Sequence, residues 1–396
     1  MPWEAMSTQD LRHEFVVEAS REGANIRLLC RRFGISPKTG YKWLHRFESH
    51  GEAGLIDRSR RPLSSPRRSA PQIEAAVLAQ REAHPAWGGR KIRKVLTRHG
   101  QETPPSASTI TAILRRQGVA IGAQGGGATS FTRFEHAAAN DLWQMDFKGH
   151  VGLGDGTRLH PLTVLDDHSR FAIVLKACAN QRTETVRTAL IEAFRRYGVP
   201  RALITDNGSP WGDGPGSPFT PLGVFLIDQG VRISHSRPYH PQTLGKDERF
   251  HRSLKAEALS GPPFADLEQA ARELERWRHI YNYERPHEAL DLAAPAERFR
   301  ISAREYQETT PAFDYAPDDR VRKVQQGGFI SFEGRAKRLP KAFIGQRIAL
   351  RPTHRDGVFE VYYRHQLIAE IDFTVENGHP QPVTHVSEQV LPISPV

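Results

Sequence analysis

The sequence predicts a multidomain chain: all-α helix-turn-helix domains at the N-terminus, an α/β core, and a small C-terminal β-barrel. Three observations predict it. Amphipathic helices broken by serine and proline fill the first third. Strand-like apolar runs alternate with helical ones between residues 137 and 300. From residue 318 the runs become short and are separated by turn residues. A chain of 396 residues has room for about two to four domains. No apolar run approaches the ~18 residues of a membrane span, so no membrane role is expected. The polar start, MPWEAMSTQDLRHEF, does not read as a signal peptide. Two distant cysteines, Cys30 and Cys178, exclude a disulfide framework and a cysteine-rich zinc site. A reducing, cytoplasmic setting is expected.

Charge is placed unevenly. Residues 1–125 hold 21 Lys/Arg against 11 Asp/Glu, and the remainder holds 34 of each. The whole excess of +10 therefore sits in the N-terminal third, which points to an anionic polymer as partner.

The first domain is assigned to 8–57. Asn25–Phe33 is a short amphipathic helix, and Gly34-Ile35-Ser36-Pro37 is the break. Ser36 suits an N-cap and Pro37 the first helical position. In the second helix, Lys38–Phe47, Tyr41, Leu44 and Phe47 are expected inward. Lys38, Lys42, His45 and Arg46 are expected outward. A basic second helix after a tight turn is the arrangement that enters a major groove, with Lys38, Lys42 and Arg46 as candidate contacts. A generic three-helix bundle is the alternative. Residues 58–70 form a basic linker arm, in which Arg58, Arg60, Arg61, Arg67 and Arg68 suit a phosphate backbone or minor groove. A merely solvated linker would look similar.

The pattern recurs over 71–120. Gln72–His84 reads as a helix and Gly89–His99 as a basic one carrying Arg90 and Lys91. Thr103-Pro104-Pro105 breaks the chain, and Ser106 or Ser108 caps Thr109–Gln117, with Thr109 and Arg115 as candidate contacts. Residues 121–136, including GAQGGGAT, form a flexible linker.

The core is assigned to 137–300. LWQMDFK is a strand with Asp146 near its end. Leu162–Leu165 and Phe171–Ala177 form a hairpin about Asp166-Asp167-His168-Ser169. Arg182–Tyr197 is an amphipathic helix with Val186, Leu190, Ala193, Phe194 and Tyr197 inward. Ala202–Thr205 is a short buried strand with Asp206 at its tip. A helix over 221–230 and a strand over 231–234 follow, and 261–300 is mainly helical, packed through Trp277, Ile280 and Tyr281. In Tyr239–Glu257, helix is expected from about Thr243. At ~100° per residue Arg252 and Lys255 share a face with Glu248, while Asp247, Phe250, Leu254 and Ala258 point the other way. Asp247 is therefore expected at the helix start, turned from the site.

Asp146 and Asp206 would end neighbouring strands, with Glu248 on a helix lying across them. Three such carboxylates repel unless a dication joins them, and carboxylate-only ligation favours Mg²⁺, with Mn²⁺ able to substitute. Two ions about 3.5–4 Å apart can activate a water or a 3′-hydroxyl in phosphoryl transfer. Asp141, Asp155, Asp166, Asp167, Asp213, Asp228 and Asp247 are competing acids.

LWQMDFKG, LTVLDDHSRF, LITDNGSPW, RPYHPQT, ERFHRSLKAE and YNYERPHEAL together resemble bacterial insertion-sequence transposases with an integrase-type core, of the retroviral integrase superfamily. The resemblance covers about residues 10–300. It implies an RNase H-like core, an acid triad at Asp146, Asp206 and Glu248, and two Mg²⁺ ions. It also implies DNA contacts from Arg252 and Lys255, and cleavage and joining of double-stranded DNA at terminal inverted repeats and a target. A homo-oligomer, at least a dimer on DNA, and a nucleoid-associated place in the bacterial cytoplasm follow from the same resemblance. A transposase-derived DNA-binding regulator without catalysis, and an RNase H-type nuclease without strand transfer, are the alternatives.

Residues 318–375 read as a small β-barrel. Its Arg320, Arg322, Lys323, Arg335, Lys337, Arg338 and Lys341 could meet phosphates or protein. Residues 376–396 read as a tail.

The charge asymmetry generates a prediction. Residues 1–120 are expected to bind element-end DNA selectively, and residues 137–300 weakly and without preference, with the first affinity falling steeply as salt rises. Anisotropy titrations at several salt concentrations check it. Equal affinity of the first fragment for end and random DNA would defeat the assignment.

Overall fold

The computed structural model describes residues 7–58, 68–119, 135–212, 219–235, 245–375 and 381–382. Arg60, Arg61, Arg67, the GAQGGGAT linker, the RPYHPQT segment and most of the tail lie outside the described residues. The chain divides into two compact units, residues 1–68 and 69–396.

In the first unit, α1 (Thr8–Ala19), α2 (Ile26–Arg32) and α3 (Pro37–His50) each begin at a polar cap. Ser7 and Asp10 form a reciprocal capping box, with Asp10 N–H donating to Ser7 Oγ at 3.2 Å. Ser36 accepts from Thr39 N–H at 3.2 Å, with Pro37 in the first turn, as the sequence suggests. The inward face of α3 differs from expectation. Trp43 is 6% exposed and Tyr41 is 54% exposed. Trp43 fills the space because the Arg12 guanidinium, 4.0 Å from its ring centroid, and Lys42 Nζ, at 4.3 Å, cover the indole that helix periodicity alone would leave half open. Gly40 sets how closely α3 approaches the others. A Cβ there would stand 2.4 Å from Cys30 Sγ and 2.8 Å from Phe15 Cζ.

The second unit opens with α4 (Pro71–Ala83), α5 (Gly89–Arg98) and α6 (Ala107–Arg116), packed around Val77, Trp87, Ile92, Ile110 and Ile113. Of the two candidate caps, Ser106 is the one used, accepting from Thr109 N–H at 3.1 Å.

A mixed sheet follows. Its strands are β1 (Leu142–Phe147), β2 (Val151–Gly152), β3 (Arg158–Asp166), β4 (Ala172–Cys178), β5 (Ala202–Thr205) and β6 (Arg232–His235). β1 pairs antiparallel with β3 and parallel with β5; β4 lies antiparallel on β3, and β6 parallel on β5. The parallel pairs are joined through helices α7 (Thr183–Tyr197) and α8 (Pro221–Asp228). α7 buries Val186, Leu190, Ala193, Phe194 and Tyr197, the predicted set, against Trp143 and Met145. On the opposite face lie α9 (Gly245–Leu254) and α10 (Leu267–His279), which bury Phe250, Leu254, Leu274 and Trp277. Each is prolonged by a π-helical turn, Lys255–Leu259 and Ile280–Glu284. A short α11 (Pro295–Arg298) ends the core. Strand parity thus gives β1 an apolar face of Trp143, Met145 and Phe147 and leaves Gln144 and Asp146 facing α9.

The C-terminal strands are β7 (Arg320–Lys323), β8 (Phe329–Phe332), β9 (Arg335–Arg338), β10 (Arg347–Pro352), β11 (Val358–Tyr363), β12 (Gln366–Asp372) and β13 (Gln381–Pro382). The expected small barrel is corrected here. β13, β12, β11, β10 and β7 form an open sheet in that order, and β8 pairs with β9 as a separate hairpin. Closure would need the two edge strands to pair, and among the described residues they do not. The sheet instead shares one apolar core with α8. Phe343 packs edge-on against Phe219, and Tyr363 Oη donates to Asp228 Oδ1 at 2.7 Å. Several basic residues here are engaged within the domain: Arg320 with Glu333, Arg322 with the Ser331 carbonyl, Arg335 with the Phe373 carbonyl.

Gly40→Val is expected to destabilise the first unit by about 1–3 kcal/mol through overpacking against Cys30 and Phe15. A urea melt followed by Trp43 fluorescence checks it, and an unmoved midpoint would show that α3 can shift at no cost.

Candidate active site

The parallel pairing of β1 with β5 matches Leu142 with Ala202 and Gln144 with Ile204. Two residues further along, Asp146 and Asp206 occur at adjacent strand tips. Asp146 is one-third exposed and accepts from Phe147 N–H at 2.7 Å. Asp206 accepts from Gly208 N–H at 2.9 Å, which folds the loop after β5 back on its own carboxylate. Glu248 is exposed on the first turns of α9, together with Arg252 and Lys255 further along. Burial and then the charge of Asp206 push the Asp146 carboxyl up to about 6, and Glu248 adds to the push. Asp146 therefore feels both other acids, and the opposing charge of Lys148 does not offset them. That donor set fits a dication, which would relieve the mutual repulsion.

Sequence reasoning missed what seats α9. Gln144 shares β1's face with Asp146. Its Oε1 accepts from Asp247 N–H at 3.3 Å, and its Nε2 donates to Asp167 Oδ1 at 2.8 Å. Asp167 also accepts from His136 N–H at 2.9 Å and pairs with Lys246. Burial pushes Lys246 down to about 8, against the pull of Asp167. Burial likewise opposes the Asp167 charge, yet Lys246 holds Asp167 below its ordinary range. At neutral pH both are charged. Strand parity at i and i+2 was the available signal for Gln144. Nothing local announces Asp167.

Asp247 is 1% exposed, inward as the helical wheel requires, but it is not turned from the site as expected, because the inward face of α9 lies on β1 and brings it beside Asp146. Thr163 Oγ1 lies 2.9 Å from the Asp146 carbonyl, 2.9 Å from His251 Nε2 and 3.3 Å from both Asp247 oxygens. One hydroxyl has one proton. It is shared between the Asp146 carbonyl and the Asp247 carboxylate, and His251 Nε2 is the remaining partner of the hydroxyl. Burial lowers His251 to about 4; burial and then the charge of Asp146 raise Asp247 well above its ordinary value, and the Thr163 hydrogen bond opposes that rise.

Asp146, Asp247 and His251 have ligand-type atoms within 4.8 Å of one another. Asp146 is partly exposed and the other two are buried, and together they form a group that could hold a metal ion.

The remaining sequence candidates are dispersed. Lys38 and Lys42 are exposed on α3, and Arg46 is half-buried with its guanidinium 5.0 Å from the Trp43 centroid. Arg58 and Arg68 are exposed. Thr109 and Arg115 are exposed on α6. Lys91 lies 3.6 Å from Glu257 on the core, and the exposed Arg90 lies 3.8 Å from Glu288. α5 turns these cations toward core acids because Ile92, Val95 and Leu96 occupy the module's own interior. Of the acids that competed in the sequence, Asp166 caps the β3–β4 turn through Ser169 and Asn140, and Asp228 holds Tyr363 and Arg364.

Residues 136–241 and 229–295 match integrase core domains, and residues 319–379 match the C-terminal domain of IS481 family transposases. Residues 14–62 match a helix-turn-helix domain and 39–114 a homeodomain-like domain. The chain is 28% identical over 236 residues to a 31.7 kDa insertion element IS407 protein of Burkholderia multivorans, covering 57% of this chain and 82% of that one. It is 31% identical over 160 residues to an insertion element IS476 protein of Xanthomonas euvesicatoria, covering 40% of this chain and 44% of that one. Among solved structures, the HTLV-2 integrase catalytic core domain in complex with magnesium aligns at 15% identity and a TM-score of 0.33, over 42% of this chain and 100% of that one.

The raised Asp247 carboxyl predicts how the site tolerates change. Asp247→Asn keeps a neutral donor and should shift stability by less than about 1 kcal/mol, whereas Asp247→Leu removes it and should cost about 1–3 kcal/mol. Thermal melts of both variants decide this. A large loss in Asp247→Asn would mean that the acid is ionised.

Proposed function

The chain belongs with the bacterial insertion-sequence transposases that carry an integrase-type core, and from that premise we propose that it cleaves and joins DNA at transposon ends. Its acids would be Asp146, Asp206 and Glu248, working with two Mg²⁺ ions. The observation that carries this reading is the register of β1 on β5, which brings two aspartates to adjacent tips while the charge of Glu248 reaches Asp146.

The bound ions would supply Lewis-acid activation of a water or 3′-hydroxyl and neutralise the leaving oxygen. The residues do the rest. Asp146 and Asp206 hold fixed positions because their strands are paired, and their neighbouring main-chain N–H groups orient the carboxylates. Glu248 closes the set from α9. Arg252 and Lys255, exposed along the same helix, would take the phosphates flanking the cut. α3 and α6, with Lys38, Lys42, Thr109 and Arg115, would read the terminal repeats, and Arg46 and the arginines of residues 58–68 would follow the backbone. A chain that must hold two ends is proposed to act as at least a dimer on DNA.

Asp146→Asn, Asp206→Asn and Glu248→Gln each keep shape and remove one charge. Mg²⁺-dependent cleavage and joining of end DNA should fall below detection in each. The Kd for the same DNA should stay within about twofold, since phosphate contacts carry the affinity. Turnover retained by Asp206→Asn would remove that residue from the triad. A wild-type chain that binds ends but never cuts them would favour the regulator instead.

A further inference from the structure

The second helical module does not stand free of the core. Lys91 on α5 and Glu257 on the core are 3.6 Å apart, with side chains 16% and 9% exposed. Glu257 is also gripped by Arg285, whose Nε donates to both carboxylate oxygens at 2.9 and 3.1 Å. Arg98, at the end of α5, donates to the Glu284 carbonyl at 3.1 Å and pairs with Glu297. Ile280 of the core packs against the module's own apolar cluster beside Val77 and Trp87.

The core-side groups share an unusual origin. Glu257 lies in the π-helical turn that prolongs α9, and Ile280 and Glu284 lie in the one that prolongs α10. A π turn resets helical register, so the residues after it face a direction the α-helix would not give them. Both helices that pack under the acid site therefore end by turning side chains onto the same module. A buried ion pair loses heavily when one partner leaves, because the other charge stays desolvated. Such a contact favours a joint that stays closed.

We propose that this joint fixes the second module to the core as a ruler, so that the DNA read by α6 is cut at a set distance from α6. The proposal rests on the transposase reading for its DNA half. α6 keeps Ile110, Ile113 and Leu114 inward and leaves Thr109 and Arg115 exposed, so docking through α5 does not obstruct the reading face. The cations of α5 then act in substrate selection through position. They set where the module sits and do not themselves touch DNA.

The test uses the full chain. Lys91→Glu changes the module side of the joint, and Ile280→Asp changes the core side without altering the module's sequence. Amide exchange of residues 89–98 should accelerate in both variants and stay slow in Lys91→Arg. The cutting arm uses end DNA with five base pairs inserted between the segment protected by residues 69–119 and the cleaved phosphate. Half a helical turn carries the original phosphate to the opposite face. Wild-type cutting at the original junction should fall at least about tenfold, and residual cuts should stay at the original distance from the protected segment. The two joint variants should lose that dependence on spacing. Unchanged exchange in both variants would overturn the joint. Equal wild-type cutting of native and inserted DNA would overturn the ruler. Absence of any wild-type cleavage would sink the transposase reading and the ruler with it, while exchange still decides the joint.

Discussion

A helix that brings one acid to two others must be held in a single rotation, because one residue of slip replaces a carboxylate with its neighbour. Here the adjacent residues Asp247 and Glu248 make that slip possible. The hydroxyl of Thr163 prevents it. It gathers the Asp146 carbonyl, His251 and Asp247 into one buried group, so the rotation of α9 is tied to the strand that carries Asp146. Gln144 makes a second tie, from β1 to the main chain of α9 and on to Asp167 and Lys246. Every other feature of the acid site presupposes this seating.

The seating also separates two kinds of carboxylate. Burial, and then the nearby charge of Asp146, raise the Asp247 carboxyl well above its ordinary value. Asp146 is pushed up only to about 6, partly exposed and facing two other acids. A protonated acid serves as a hydrogen-bond donor, and an ionisable one is available to a cation. Burial therefore sets the titration of neighbouring acids apart without any difference in residue chemistry.

Net charge indicates a kind of partner without telling individual cations apart. The excess of +10 lies in the N-terminal third, where the helix-turn-helix domains are. Yet Arg90, Lys91 and Arg98 face core acids, and Lys42 and Arg46 lie over Trp43. The C-terminal sheet repeats the lesson, since several of its arginines close onto their own domain. A count of cations records how much charge is available. It does not record how much has already been matched.

What the sequence determined by itself was local. Ser36 before Pro37 set the start of α3, the inward positions of α7 followed helical period, and alternation put Asp146 on a defined face of β1. The inward turn of Asp247 came from the same periodicity. These features depend on a few consecutive residues, so a few consecutive residues disclose them. Only the tertiary structure decided that Trp43 and not Tyr41 enters the first core, that the C-terminal strands stay open, and that Lys91 meets Glu257. Each of those outcomes rests on which distant surface arrives at a given point. Packing, edge pairing and charge neutralisation act through space, and separation along the chain does not report distance in space.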